Sequence, residues 1–391
     1  MQRAVWGVVG SVWLSLAGCA TGPSDLAQPR IRVGGLPYPG FTNYLPLDPP
    51  DALGAHRYQR LRSPDDPQGE VSAGIVYTRH AGFLDLAHVR STVDWVRYVY
   101  LVALDRLMAQ DPASEPPLRW SWLGMDYRMD IRPPQDWTEL STAKRLPLAR
   151  QAAAVLAQRL ATTISTWHEV GSWHGQMIVP PFQEIRSAFT WDDSSSHVFA
   201  ALVGGRALAS GDPHQQDAWN RAVTRELARA LAAQAPVGLA CQNEALSRSQ
   251  RIWWHGGQTL RRDLDTGLQG PGPKQPWRVA DLPCAEGVGL PAGPVPMPLL
   301  LPGWQGLEQA GGVAVESWFQ WEVTLPYWLT QRVLGCEEAC KPHVFKGESG
   351  LLAAIDHIRM QLEQASGADA LRPDAPPSAG AARAVPPDAL P

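Results

Sequence analysis

Two segments of this chain carry side chains whose types and spacing could do chemistry. In Gly82-Phe83-Leu84-Asp85-Leu86-Ala87-His88-Val89-Arg90, an acid and an imidazole stand three residues apart. On a helix they would project about 60° from one another, on one side. The second segment is Thr166-Trp167-His168-Glu169-Val170-Gly171-Ser172-Trp173-His174. It has the look of a zinc-protease helix, but that motif needs two histidines four apart. His168 and His174 are six apart, about 120° round an ideal helix, and cannot share one ion from regular helix. What survives is His168 with Glu169, as metal ligands or as an acid and a base. His174 is a helix-end residue whose charge would favour the C-terminal dipole.

Together, Asp85, His88, His168 and Glu169 form the candidate catalytic set, with His88, His168 and Glu169 as the candidate metal ligands. A polar pair on an apolar helix is costly to bury unless it is paired, hydrogen-bonded or metal-bound. The simpler reading of the first pair is an aspartate that caps its own helix, beside a core histidine. His197 and Glu226 extend the set if their helices join a bundle, the architecture in which facing helices build carboxylate and imidazole metal centres. Arg90, Asp94 and Arg97 make a different stripe, read as a solvated or interhelix salt-bridge face. There is no Gly-x-Ser-x-Gly elbow, phosphate loop or dinucleotide fingerprint. Ser194, Ser195 and Ser196 read as helix-start residues rather than nucleophiles.

The elements that must position these groups follow from hydrophobic period. An apolar run through Val96 and Leu104 predicts a buried helix over 83–108, and an Ala- and Leu-rich segment predicts another over 146–173. A third helix should start at Asp192 or Asp193, either of which could cap it by accepting backbone N–H bonds, and a fourth should cover 219–233. Gly171 and Gly175 should loosen the end of the second helix near its polar residues. Strict alternation predicts strands over 123–131 and 313–325, and an amphipathic helix follows at 350–365. The residues 179–194 form a loop long enough to fold over a site. Helices cluster first and strands are few, so the expected fold is α+β, with a helix-rich N-terminal half, a few antiparallel strands and a disulfide-containing C-terminal half.

The ends of the chain speak to location. Arg3, an apolar run to Leu16 and then Leu16-Ala17-Gly18-Cys19 read as a lipoprotein signal, too short to span a bilayer comfortably. Cleavage would leave Cys19 acylated at the new N-terminus, and Ala20 after it points, by resemblance to bacterial lipoproteins, to the outer membrane with the domain facing the periplasm. The expected organisation is a signal peptide at 1–18, a tether at 19–55, one α+β domain at 56–366 with a subdomain seam near 269–276, and a disordered tail at 367–391. The partner implied is the membrane, reached through the lipid on Cys19. The net charge of -4, with scattered basic residues, excludes a nucleic-acid role. Cys241, Cys284, Cys336 and Cys340 are an even set for an oxidising compartment, so two disulfides are expected, with the pairing open. Seventeen tryptophans are many for this length. Most should be core, with Trp318 and Trp304 the candidates for exposure and for stacking on sugar faces.

A family resemblance adds to this. Gly74-Ile75-Val76-Tyr77-Thr78, Ala81-Gly82-Phe83-Leu84-Asp85-Leu86-Ala87-His88-Val89-Arg90, Thr166-Trp167-His168-Glu169, Pro181-Phe182 and Ser187-Ala188-Phe189 together resemble the bacterial lipoprotein family labelled domain of unknown function 4056, over about residues 60–235. The resemblance implies membrane anchoring and brings no activity, substrate or catalytic residues with it. Two classes of function follow from the residues. One is a metal-assisted or acid/base hydrolase of the cell envelope. The other is a non-catalytic lipoprotein that binds peptidoglycan or an envelope protein partner, with the same four side chains tying two helices together.

Overall fold

The computed structural model describes Pro29 and residues 75–176, 185, 187–255, 258–286, 297–304, 314–335 and 341–366. A hairpin comes first, β1 (Ile75–Thr78) pairing antiparallel with β2 (Gly82–Asp85), and its last residue runs straight into α1 (Leu86–Met108). The expected helix start at 83 is therefore three residues early: Gly82 to Asp85 alternate as a strand, and the helix begins only after Asp85 turns the chain. Asp85 is in extended conformation and its Oδ1 accepts a bond from the Ala87 N–H at 2.6 Å, the geometry of an N-cap.

Next come β3 (Leu118–Trp122) and β4 (Met125–Ile131), joined by Leu123 and Gly124 with φ of 53° and 75°. Two consecutive positive φ values make a tight turn that matches strand twist, so Leu123 belongs to the turn and not to the strand. The main sheet is completed much later by β7 (Phe319–Thr324) and β8 (Val344–Lys346), in the antiparallel order β3-β4-β7-β8. Its inner face carries Met125, Tyr127, Met129 and Ile131, all buried. It packs on α1 through aromatic contacts, Trp95 to Trp122 at 5.3 Å and Tyr98 to Trp120 at 6.3 Å between ring centres.

The centre of the molecule is helical. α2 (Thr142–Trp173), α3 (Asp193–Ser210) and α4 (Gln216–Ala233) follow α1, and α1, α2 and α3 pack on one another. Glycines set how closely they approach. A methyl on Gly204 would come within 2.8 Å of Val96 Cγ1 on α1, and one on Gly205 within 2.4 Å of Gln158 Oε1 on α2. Thr92 and Ser165, both buried, share a 2.8 Å hydroxyl bond between α1 and α2. Arg90, Asp94 and Arg97 are all buried, so their stripe is not a solvated face. Arg97 crosses to the segment before α4, donating from Nε to the Pro213 carbonyl and from Nη1 to Gln216 Oε1, each at 2.5 Å.

A second, smaller apolar cluster gathers Tyr77, Phe83, Trp191, Trp253 and Leu282 around α5 (Leu239–Ser249). The short hairpin β5 (Trp254–His255) and β6 (Gln258–Thr259) and the single turn α6 (Pro283–Glu286) border it. A disulfide joins Cys241 on α5 to Cys284 on α6 across a sequence separation of 43. Closing a loop of that length restricts the unfolded chain by about 4 kcal/mol. Cys336 and Cys340 lie outside the described residues. So do Cys19, the signal and tether segments, the 367–391 tail and residues 179–184 and 186 of the expected loop. Within the 269–276 segment, expected as a seam, Lys274 is buried, its Nζ 2.6 Å from Asp263 Oδ2 and its N–H bonded to the Leu299 carbonyl.

The last third also departs from its sequence reading. Val315 to Trp318 form a 3-10 turn, and only Phe319 to Thr324 pair as β7. That places Trp318 in the core at 1 % exposure, against Trp137, and not on a polar strand face. Trp304 is half-buried, stacked on Phe319 at 5.5 Å. α7 (Tyr327–Leu334) and α8 (Gly347–Ser366) finish the fold, α8 fixed to α2 where Arg159 grips Glu348 with Nε and Nη2 at 2.7 and 2.5 Å. Among the described residues, no helix is long and apolar enough to cross a membrane.

Candidate metal centre

Three helices deliver the site. α1 brings Asp85 and His88 in its first turn, α2 brings His168 and Glu169 in its last two turns, and α3 brings Asp193 and His197 in its first. Glu169 sits at the centre. Its Oε1 faces three imidazoles, with His88 Nε2 at 4.0 Å and His168 Nε2 and His197 Nε2 each at 3.9 Å. Its Oε2 accepts the Phe189 N–H at 3.1 Å, which fixes the carboxylate's rotation. One donor atom each from His88, His168 and Glu169 lies within 4.8 Å of the other two, the spacing of a cation cage.

The backbone that holds Glu169 is under constraint. Phe189 has a φ of 55°, a region that a bulky residue enters only when its surroundings dictate it. Those surroundings are visible: the Phe189 carbonyl accepts the Asp263 N–H at 2.7 Å, and Arg262 donates to the carbonyls of Ala188 and Ile185 at 2.5 and 3.0 Å.

The start of α3 is organised by its acids, though not as caps. Asp193 Oδ2 accepts from the Thr190 N–H at 2.6 Å and from its hydroxyl at 3.0 Å, and Asp192 Oδ1 meets that hydroxyl at 2.8 Å. Asp192, the N-cap residue of α3, makes no side-chain cap bond. The other Asp193 oxygen, Oδ1, stands 3.2 Å from His88 Nδ1, while Asp85 Oδ2 is 3.9 Å from the same nitrogen. Ser196 Oγ accepts the Asp85 N–H at 2.8 Å, so α3 also anchors the residue that starts α1.

Access is graded. The side chains of His88 and Asp85 are 25 % and 21 % exposed, whereas those of Glu169, Asp193 and His197 are sealed. Trp122 lies at the edge, its ring 5.9 Å from His168. Burial alone would lower His88, but Asp85, Asp193 and Glu169 outweigh it and hold this imidazole well above its usual range. Burial and the neighbouring His88 push His168 down to about 3, and burial with His88 and His168 beside it drives His197 well down too. Burial, with Asp193 and Asp85 beside it, raises Asp192 well above an ordinary carboxylate, and burial raises Asp85. The carboxylates therefore attract one positive charge into the cage, which a proton on His88 or a bound cation would each supply.

All four residues of the sequence-derived set come together here. Asp85 is in addition the helix cap of the simpler reading, so its two oxygens divide between backbone and site. His197 joins them; Glu226 does not. It lies on α4, where its Oε1 accepts from Ser210 and pairs with Arg225 and Arg229. His174 is elsewhere too, at the C-cap of α2, with its carbonyl bonded by Arg332. It carries no charge for the helix dipole, because burial, His357 and Arg332 push it down to about 3. Gly171 makes room for Gln176, whose Oε1 would lie 1.9 Å from a methyl placed there. Asp193 is the site residue whose role the sequence did not disclose. Its capping-type position beside Asp192 offered an adequate local explanation.

An α+β protein whose helical core encloses a cage of imidazole and carboxylate is the class that fold and site define. The chain matches the family described as protein of unknown function (DUF4056) over residues 16–263 and belongs to it. That span includes every residue of the cage. No curated protein and no solved structure matches the chain.

Proposed function

We propose that this protein is an envelope lipoprotein, acylated at Cys19 and held at the outer membrane facing the periplasm, whose domain is a metal-assisted hydrolase. The observation that carries the enzymatic reading is the convergence of three imidazole Nε2 atoms on one carboxylate oxygen at 3.9–4.0 Å, beside a histidine reachable from solvent. Donors around a tetrahedral zinc ion are ~3.3 Å apart, so small side-chain adjustments would close the cage on a divalent cation. His88, His168 and Glu169 would hold the ion, two imidazoles and one carboxylate, a donor set that would let it activate a water. The bound cation would lower that water's pKa toward neutrality. Asp85, partly exposed and beside His88, would take the proton of such a water, and His197 would close the cage on its buried side. The substrates that fit an envelope address are peptidoglycan, lipid or peptide.

The alternative, a non-catalytic lipoprotein that binds peptidoglycan or a protein partner, draws support from Glu169 and His197, which are only 3 % and 2 % exposed at their side chains and tie helices together as a buried network would. The two readings part on one comparison. In the hydrolase, His168→Ala lowers turnover of p-nitrophenyl acetate or purified peptidoglycan at least 100-fold, with the melting temperature of the metal-free protein nearly unchanged. In the scaffold, His168→Ala lowers the melting temperature and there is no metal-dependent turnover to lose.

A further inference from the structure

We infer that Asp193 is a positioning residue for this centre: its carboxylate, 3.2 Å from His88 Nδ1, keeps the ring proton on that nitrogen and leaves the Nε2 lone pair for the cage. The inference rests on the metal-centre reading above and adds a residue and a direction to it. Imidazole can carry its proton on either nitrogen, and only the nitrogen without a proton can ligate. Asp193 Oδ1 stands 3.2 Å from His88 Nδ1, and His88 Nε2 is the atom that faces Glu169. Metal-bound histidines are held in the same way, by a carboxylate on the nitrogen away from the ion.

Asp193 is itself held. Its other oxygen receives two bonds from Thr190, at 2.6 Å from the backbone and 3.0 Å from the hydroxyl, so the carboxylate cannot rotate without losing both. Its side chain is 2 % exposed, which keeps water from competing for His88. Asp85, farther from Nδ1 at 3.9 Å and already bonded to the Ala87 N–H, is left for solvent and substrate. The chain from Thr190 through Asp193 to His88 thus runs from the start of α3 to the start of α1, and fixes across two helices what neither could fix alone.

The test is titration of the full folded domain with Zn2+ and Co2+, in the original protein and in Asp193→Ala, Asp193→Asn and Asp192→Asn. Asp193→Ala should weaken metal binding about 10- to 100-fold. The Co2+ visible bands should keep their pattern, because the ligands are unchanged. Asp193→Asn, which keeps an oxygen acceptor, should recover part of the loss, while Asp192→Asn should shift affinity less than about threefold. Equal affinity in the original protein and both Asp193 variants would overturn the role of Asp193 and leave the metal centre standing. Absence of binding in the original protein would overturn both. If Asp193→Ala does not fold, Asp193→Asn decides through the 15N shifts of His88 in the metal-free proteins, read at a pH high enough to leave the ring neutral, which should show the Nδ1–H tautomer in the original protein and a mixture in the variant.

Discussion

At the residue scale, imidazoles among the described residues are buried in the cage and at the end of α2, with different consequences. In the cage, carboxylates compensate for burial at His88, so that ring takes a charge, while His168 and His197 stay neutral. At the end of α2, His174 is buried near two basic groups, Arg332 and His357, and is held at about 3. A histidine whose folded pKa lies below its unfolded value near 6.5 costs nothing above that value. Below it, the unfolded chain takes up a proton that the folded chain refuses, so stability falls as pH drops from about 6.5 toward 3. His174 should account for about 2 kcal/mol of lost stability between pH 6.5 and 5. Urea unfolding of His174→Asn across this range should show a shallower pH slope than the original protein. Identical slopes would mean that His174 is hydrated.

The residue scale is also where the sequence was most legible. Asp85 with His88, and His168 with Glu169, stood out because polar groups inside apolar helical runs need a partner, and the partner each pair found was the other. The role of Asp193 could not be read, since a local explanation for an acid beside a helix start was already sufficient. Glu226 extends the set only if its helix turns that carboxylate toward the bundle, because helical period says that a carboxylate is on a helix, but not which way that helix faces.

At the element scale, the cage depends on how closely α3 approaches α1 and α2. Gly204 rests against Val96, and Gly205 against Gln158, with no room for a side chain at either. Gly204→Val should force the helices apart and destabilise the protein by about 1–3 kcal/mol. The same separation should weaken metal binding, because His88 lies on one of these helices and Asp193 and His197 on the other. Thermal unfolding and a Zn2+ titration of one preparation would check both, and a stable variant with unchanged affinity would show that the helices meet elsewhere.

The long helices were legible from apolar period, to within a few residues at α1, α2 and α4. Their boundaries moved where a neighbour supplied a competing partner: Gly82 to Asp85 pair with β1 and so leave the helix. Similarly, β7 begins only at Phe319, because a 3-10 turn over Val315 to Trp318 delivers the Trp318 indole to Trp137 in the core. Alternation along a strand shows which residues share a face, but not where pairing starts.

At the scale of the whole molecule, the centre sits in the helical core, while the sheet covers α1 through aromatic rings and the Cys241–Cys284 bridge secures the smaller apolar cluster beside it. The α+β class and its helix-rich first half followed from the order of periods along the chain. The number and spacing of cysteines did not yield connectivity, since spacing alone does not bring α5 to α6. The proposed address is tested independently of the site. A Cys19→Ser variant should lose palmitate labelling and move from the membrane to the soluble fraction on cell fractionation, with the domain's melting temperature unchanged. Retained labelling would remove Cys19 as the acylated residue, and no labelling of the original protein would remove the lipoprotein reading, neither touching the metal centre.

The central claim, that three helices meet to form a cation site, is tested most directly by metal content and cobalt spectroscopy of the purified domain. The account predicts one Zn2+ or Co2+ per chain, with intense visible Co2+ bands of a tetrahedral nitrogen and oxygen site, lost together in His88→Ala and His168→Ala and retained in Glu226→Ala. Substoichiometric metal that dialyses away, or Co2+ bands indifferent to His88 and His168, would contradict it.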